Sequence, residues 1–432
     1  MGKVVKLEPQ AKDRTGADAR PRPKRSKTAL VLGGGGFTGG VYEIGALRAL
    51  DLLTVNRTVN DFDVYVGTSA GAFVASMTAN GVTPEEMMRV VDQQRPTSFP
   101  ELDLGNLLRP NLGGFAKSAV TLPFRAAQLL RGVAGQLGQV SAMDIVLGLA
   151  EGLPAGAYSG AGVERYLHSV LTGDPDRSDD FRTLGPELYI TATDLDTCER
   201  IVFGGEGWDD VPISKAVRAS TALPMVYSPV KVRERELVDG GIVSTTNLDI
   251  AVNAGAKFIV VVNPLVPYVN DFKTKVRTLG GMRTRHVSDM GFPQIGYQAF
   301  KMVAYQRLHE MARQWEQRYP GVDIILIEPE PDDELMFQTP IMSYASRVAI
   351  ARHGFQSVTT QLAFGYPRFL EICKRHGIEI SATRVRKVMK HFEAHQGRTR
   401  AWRKILEQTT QTLLRQTRGE PAPPDESEES SA

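Results

Sequence analysis

The chain has 432 residues, of which 42% are apolar and 23% charged, a composition typical of one large or two ordinary soluble domains. No run of about 18 apolar residues occurs, which argues against a membrane span. The two cysteines, Cys198 and Cys373, lie far apart in sequence, which argues against a disulfide framework and against a zinc site.

The formal net charge is +2, but basic residues are concentrated near both ends. Residues 1–27 hold nine Lys or Arg and three acidic residues with almost no apolar pattern, so we predict that they are disordered. Residues 374–418 hold twelve Lys or Arg and three acidic residues, and we predict a basic helical extension over 371–418 followed by a disordered acidic tail over 419–432. Such a basic face is either a solvated surface or a contact for anionic lipid headgroups. Since no nucleic-acid module accompanies it, we expect no nucleic-acid partner.

The amino-terminal residues give an expectation about location. They lack the apolar centre of a signal peptide, and Lys6 stands where a myristoylation signal has Ser or Thr. We therefore expect a cytoplasmic protein that is at most peripherally associated with a membrane.

Strand and helix patterns alternate between these two ends. Apolar runs predict strands at 28–32, 61–66, 188–193, 200–203, 228–232 and 257–262, and helical spacing predicts helices at 41–53, 213–223 and 248–254. A capped helix start occurs at Thr83-Pro84-Glu85-Glu86. This alternation predicts an α/β fold with a largely parallel central sheet over residues 28–265. Residues 266–370 are predicted to complete the domain with helices and one strand at 323–327.

The segment around Ser69 is the most informative motif. A β-branched and aromatic run, 64–66, leads into Gly67-Thr68-Ser69-Ala70-Gly71, and an alanine-rich helical stretch follows. On such a strand–turn–helix the serine is exposed at the sheet edge, and the two glycines leave room for neighbouring backbone. Ser69 is therefore a candidate nucleophile, with the positive end of the helix dipole beside it.

A glycine run at 33–40 follows the first predicted strand and has two interpretations. Successive backbone N–H groups of such a loop can stabilise the oxyanion of an acyl-transfer reaction. The run also contains Gly-x-Gly-x-x-Gly, typical of a dinucleotide site, and two acids lie near the distance expected for ribose binding, Asp61 and Asp63. The serine motif about 30 residues later favours the esterase interpretation.

A nucleophilic serine needs a base, and none of the seven histidines lies in a glycine-framed turn. Several lie in helical, Arg-rich stretches that indicate surface positions. Asp239 differs, because Asp239-Gly240-Gly241 ends an apolar strand and leaves space around the carboxylate. It is either an ordinary Asp-Gly turn or a base whose pKa is raised by partial desolvation.

With these motifs in this order, the chain resembles the patatin-like phospholipase family. Two further stretches resemble it as well, 193–197 and 219–224, so that the resemblance covers about 28–264. It implies a three-layer patatin-like fold, with the mainly helical carboxy-terminal part as an extension. It further implies a lipid acyl hydrolase that cleaves fatty-acyl esters, phospholipids among them, without a metal or other cofactor.

The same resemblance implies the roles of individual residues. Ser69 would be the nucleophile and Asp239 the general base of a Ser-Asp dyad. The oxyanion hole would be formed by Gly34, Gly35 and Gly36, with Gly39 closing the loop. The framing motif glycines would be Gly67, Gly71, Gly240 and Gly241. The chain departs from the family where Phe37-Thr38 replaces the usual Arg or Lys of the loop. There are two alternatives to a lipid acyl hydrolase. One is a catalytically inactive lipid-binding or scaffold protein, and the other is a nucleotide-binding oxidoreductase.

Residues 99–153 form a candidate lid insertion. The stretch 116–137 is mildly apolar, with interruptions at Arg125 and Arg131, and it is either a lid or interfacial segment or a packing helix broken at Pro123. A long helix over 297–318 contains Met302, Met311 and Trp315, which we expect in the core.

Overall fold

A computed structural model describes residues 26–92, 99–100, 109–135, 153–270, 275–278, 281–284, 286–331, 333, 335–336, 339, 342–388 and 390. Most of the segment 1–27, part of the candidate lid insertion, most of the basic extension and the acidic tail lie outside these residues. Among the described helices, none has both the length and the apolarity that crossing a membrane requires.

An eight-stranded sheet forms the centre of the molecule. Its strands are β1 (Thr28–Leu32), β2 (Val64–Thr68), β4 (Glu187–Asp194), β5 (Arg200–Phe203), β7 (Val230–Val232), β8 (Arg235–Asp239), β9 (Phe258–Val262) and β12 (Asp323–Ile327). The order is β12-β9-β1-β2-β4-β8-β7, with β5 also paired to β4. Strands β12, β9, β1, β2 and β4 are parallel, which confirms the predicted α/β class with a largely parallel sheet.

Helices cover both faces of this sheet. The helices of the described chain are α1 (Gly36–Leu53), α2 (Ala70–Ala79), α3 (Pro84–Asp92), α4 (Leu112–Gly135), α5 (Ala161–Thr172), α6 (Ile213–Ser220), α7 (Leu248–Asn253), α8 (Phe292–Arg318), α9 (Arg347–Phe364) and α10 (Tyr366–Arg375). Leu30 and Leu32 of β1 pack into the core that contains α1 and α2, whereas Ala29 and Val31 pack with α7 and α8. Because alternate strand residues face opposite sides, one apolar run supplies both cores of the three-layer fold.

Helices α1 and α9 pack closely, and glycine makes this possible. A Cβ atom at Gly45 would overlap the Ala351 carbonyl, and one at Gly354 would overlap the Tyr42 carbonyl. Helix α9 therefore anchors the carboxy-terminal part of the chain to the first helix of the predicted core.

Several predicted boundaries differ from the structure. Helix α1 begins at Gly36 rather than at residue 41, because its first turn is built from the glycine run itself. Asp61 lies in a 3-10 turn, Val59–Asp61, and not in β2. The prediction of one strand after residue 266 is wrong, since β10 (Lys275–Thr278) and β11 (Gly281–Thr284) form a hairpin there. Another small parallel pair, β3 (Gly156–Tyr158) with β6 (Met225–Tyr227), was not predicted either.

Candidate active site

Ser69 occupies a strained turn between β2 and α2. Its φ is 55° and its ψ −124°, a conformation that is costly for a residue other than glycine. The Ser69 N–H donates to Ser220 Oγ at 2.8 Å, which holds the turn in place. A Cβ atom at Gly67 would overlap Ala72, and one at Gly71 would overlap the carbonyl oxygens of Leu32 and Gly33. Both motif glycines are thus required by close backbone packing.

Asp239 lies directly beside Ser69. The hydroxyl of Ser69 donates to Asp239 Oδ2 at 2.5 Å, and the Gly241 N–H donates to Asp239 Oδ1 at 2.8 Å. Only 6% of Ser69 and 4% of Asp239 is exposed. The two predicted dyad residues therefore share one buried hydrogen bond.

The pairing of β4 explains why they meet. Strand β2 pairs with β4 in parallel up to Thr68, opposite Thr191, and β8 pairs with β4 antiparallel with Asp239 opposite Ala192. Strand β5 takes the other edge of β4 at these positions, so β2 and β8 lie end to end along one edge. Their carboxyl ends consequently point at each other, and the residues at those ends come into contact.

Burial changes the acidity of Asp239. Loss of solvation raises its pKa to about 6, against the opposing effect of the hydrogen bonds from Ser69 and Gly241. At neutral pH the group is still mainly a carboxylate, but it binds a proton more strongly than an exposed aspartate does. This combination suits a general base.

The glycine loop that follows β1 also lies beside Ser69. Gly34 lies against Ser69, because a Cβ atom at Gly34 would be 3.3 Å from Ser69 Cβ. However, the Gly34 N–H donates to Thr245 O at 3.2 Å and the Gly39 N–H donates to Gly35 O at 3.0 Å. The Gly34 N–H is therefore already engaged, which argues against the expected role of Gly34 as an oxyanion donor. The Gly39 N–H links the two ends of the glycine loop. Within the described part of the chain, the N–H groups of Gly35 and Gly36 have no hydrogen-bond partner.

A polar network underlies the dyad on the sheet side. Asn247 Nδ2 donates to Thr68 Oγ1 at 2.9 Å and to Thr191 Oγ1 at 3.0 Å, so that it bridges β2 and β4. A Cβ atom at Gly240 would overlap the Thr191 carbonyl, which explains the first glycine after Asp239. Sequence reasoning missed Asn247, because its partners lie on two other strands.

An apolar pocket opens from the dyad. Besides Ser69 and Asp239, its lining includes Phe37, Val41, Ile44, Phe73, Val74, Met77, Met87, Val91, Tyr166, Leu223, Tyr227, Tyr297 and Phe300. Along α2 it extends from Ser69 to Met77, about 12 Å at 1.5 Å per residue. Among the described residues of this lining, Asp239 is the single carboxylate and there is no Lys, Arg or His. The described lining therefore suits an apolar chain and offers no countercharge to an anionic group.

The other sequence candidates lie elsewhere. Asp63 Oδ2 accepts from the Thr28 N–H at 2.8 Å, and Asp61 Oδ2 from the Thr58 N–H at 2.8 Å, so both acids hold the backbone around β1 and β2 and neither lines the pocket. This removes the sequence support for a ribose-binding acid. The described histidines do not line the pocket either. His376 is buried against Phe258, so the expectation of a surface position is wrong for this residue.

None of the residues 193–197 lines the pocket. Asp194 Oδ1 accepts from the N–H groups of Asp196 and Thr197, and its Oδ2 accepts from Arg235 at 2.8 Å. These contacts form the turn between β4 and β5. The stretch is therefore structural, whereas 219–224 contributes Ser220, Thr221 and Leu223 to the site.

Helix α4 is the described part of the candidate lid insertion. It continues through Pro123, so the predicted break is wrong. Among the described side chains of this helix, four large apolar ones are exposed: Leu112 (73%), Phe115 (47%), Val120 (64%) and Phe124 (73%). Asn111, just before the helix, donates to Gly156 O of β3 at 3.2 Å and to Ser228 Oγ at 2.9 Å. Since β3 pairs with β6, whose Tyr227 lines the pocket, α4 begins next to the pocket.

The expectation that the long helix α8 places Met302, Met311 and Trp315 in the core is confirmed only in part. Trp315 is buried and Met311 packs against the core, but Met302 is 53% exposed. Its amino-terminal turns supply Tyr297 and Phe300 to the pocket, two site residues that the sequence did not single out. No group of three or more His, Cys, Asp or Glu side chains that could bind a metal occurs among the described residues.

Comparison with known proteins identifies the family of this chain. The sequence model of the patatin-like phospholipases matches residues 30–252. A curated relative, "Probable lipid hydrolase 463L" of Invertebrate iridescent virus 6, is 24% identical over 236 residues, which is 54% of this chain and 65% of the relative. The match thus spans less than two thirds of that protein.

Solved structures with low similarity include two bacterial proteins. VipD from Legionella pneumophila gives a TM-score of 0.37 at 13% identity, with 92% of this chain and 78% of VipD covered. The type III effector ExoU, of Pseudomonas aeruginosa, gives 0.34 at 15% identity, with 90% and 66% covered. The assignment rests on the sequence model, which matches more than half of the chain. The chain therefore belongs to the patatin-like phospholipase family.

Proposed function

We propose that this protein hydrolyses fatty-acyl esters of lipids, as a phospholipase A or lysophospholipase-type serine esterase, through Ser69 and Asp239. The observation that carries the proposal is the buried 2.5 Å hydrogen bond between these two side chains at one end of an apolar pocket. Family membership and the similarity to a probable lipid hydrolase support it.

The proposed reaction has two steps. Asp239 accepts the proton of Ser69 Oγ as this oxygen attacks the ester carbonyl, and the N–H groups of Gly35 and Gly36 stabilise the oxyanion. The carbonyl re-forms, and the alcohol leaves with the proton from Asp239. Asp239 then takes a proton from a water molecule that attacks the acyl-enzyme, and the fatty acid departs as Ser69 regains its proton.

The pocket accounts for the acyl chain in this proposal. The fatty-acyl chain whose ester bond is cleaved would extend from Ser69 between α1 and α2 toward Met77 and Met87. Each buried methylene group contributes about 0.8 kcal/mol, so the lining favours a fatty-acyl over an acetyl ester.

Covalent labelling tests the proposal. A fluorophosphonate should form one adduct with the wild-type protein and none with Ser69→Ala, because only an activated serine displaces the fluoride. Intact-mass spectrometry measures the adduct, and peptide mapping locates it. A folded wild-type protein that stays unlabelled would instead support the alternative of a catalytically inactive lipid-binding protein.

Helix α4 is the proposed contact with the membrane surface, since its exposed apolar side chains begin beside the pocket. Phe124→Ser should lower turnover of phospholipid in vesicles about tenfold, because inserting one Phe into lipid contributes about 1.5–3 kcal/mol. Hydrolysis of a short soluble ester should stay unchanged.

Phe364→Ser is the matched control for this prediction, because Phe364 is 59% exposed at the end of α9, in an unrelated part of the fold. It should leave both activities unchanged. Equal losses on vesicles and on the soluble ester in Phe124→Ser would contradict a role at the membrane.

A further inference from the structure

A second pocket lies on the other side of the Asp239 turn. It encloses about 460 Å³ between the 242–246 loop and α8, within the range typical of ligand sites. Gly241, Thr245 and Phe300 line both this pocket and the apolar one. The two pockets therefore adjoin each other beside the Asp239 turn.

The two pockets differ in chemistry. The described lining of the first pocket has no basic side chain, whereas that of the second contains Arg307 and Glu310 on α8. Both side chains are exposed, and neither has an ion-pair or hydrogen-bond partner within the described part of the chain. Thr246 also lines this pocket, and its hydroxyl is buried without a hydrogen-bond partner among these residues.

We propose that this second pocket binds a zwitterionic phospholipid headgroup, with Arg307 on the phosphate and Glu310 on the ammonium group. The inference rests on the proposed function and specifies the leaving group for the same site.

The geometry matches this ligand. Residues three apart on a helix have Cβ atoms about 5–6 Å apart, comparable to the separation of a phosphate from an ammonium group two carbons away. Arg307 lies two turns beyond Phe300, about 10 Å along the helix, and helical side chains lean toward the amino terminus, here toward the dyad. A guanidinium recognises phosphate through two parallel hydrogen bonds.

The remaining lining fits the glycerol and the second chain. Ile242 and Val303 are 40% and 54% exposed, and Leu308 and Met311 complete an apolar wall. The fatty-acyl chain that is cleaved off would lie in the first pocket. The rest of the lipid would extend past Phe300 into the second pocket.

Equilibrium binding tests this subsite separately from turnover. The probe is monomeric dihexanoyl-glycerophosphocholine, titrated by calorimetry into the full chain carrying Ser69→Ala. Adding Arg307→Gln should raise Kd about tenfold, since a charge-assisted bidentate pair is lost. Adding Glu310→Gln should raise Kd several-fold for this probe, but not for dihexanoyl-phosphatidylglycerol, which has no ammonium group.

Arg313→Gln and Glu316→Gln are the matched controls, because both residues are exposed on α8 and line neither pocket. They should change Kd less than twofold. The proposal is overturned if Arg307→Gln binds phosphocholine lipid like Arg313→Gln, or if the Ser69→Ala protein binds it no better than dihexanoylglycerol. Hydrolysis of a short p-nitrophenyl ester by the unmodified protein reports separately on the proposed function.

Discussion

Replacing Asp239 by Asn should lower ester turnover by about 10²–10⁴-fold, the usual contribution of a general base. The amide has nearly the same shape and can still accept from the Gly241 N–H. Its NH₂ group, however, would donate to Ser69 Oγ, which reverses the hydrogen bond and leaves the hydroxyl proton without an acceptor. Steady-state kinetics with a p-nitrophenyl ester measures the loss.

Two controls accompany this variant. Wild-type turnover should rise with pH through about 6, as Asp239 loses its proton, and Asp239→Asn should lack this rise. Because burial raises the pKa of Asp239, its carboxylate lowers the stability of the folded protein above this pH. The uncharged variant should therefore unfold at the wild-type temperature or higher. Turnover above half of the wild-type value would contradict the assignment of Asp239 as base.

Gly71→Ala is expected to have the largest effect on stability. The added Cβ would overlap the carbonyl oxygens of Leu32 and Gly33 at the buried end of β1, and the Gly71 N–H donates to Gly33 O at 3.1 Å. Because both neighbours are backbone atoms, rotation of a side chain cannot relieve the overlap. We expect a loss of about 3 kcal/mol or more in the free energy of unfolding, measured by urea denaturation.

Gly113→Ala provides the matched comparison. Gly113 lies in α4, and a Cβ atom there meets nothing within 4 Å. Alanine should therefore leave stability unchanged or raise it by about 0.5–1 kcal/mol, as expected for Gly to Ala in a helix. If both variants unfold at the same urea concentration, close packing is not the reason for Gly71.

Much of the fold was predictable because its signals are local. Strand β9 is a continuous and mainly β-branched run, and β1 is a short run of mainly apolar residues, as expected for strands buried on both faces. Both were located to within one residue. The start of α1 was misplaced, because glycine disfavours helices in general. The reasons for glycine here appear only in the structure: Gly36 has a φ of 61°, and Gly39 and Gly40 pack against Pro264 and Ala70. The β10–β11 hairpin was missed, since two strands of four residues give too few positions for a periodic signal.

The candidate site divides in the same way. The turn at Ser69, the turn at Asp239 and the glycines around both are predictable from sequence, because strand–turn–helix geometry depends on adjacent residues. The sequence could not reveal which loop N–H groups are engaged, since the acceptor for Gly34 is Thr245, more than 200 residues later.

The contact between Ser69 and Asp239 could not be predicted from either turn alone. Their contact depends on two strands of opposite direction that share one edge of β4 with ends at consecutive positions, Thr191 and Ala192. The same holds for the two pockets on either side of Gly241, which α8 closes from a later part of the chain. Strand register and helix packing bring together residues that are distant in sequence. A pattern within one segment of the chain cannot predict either of them.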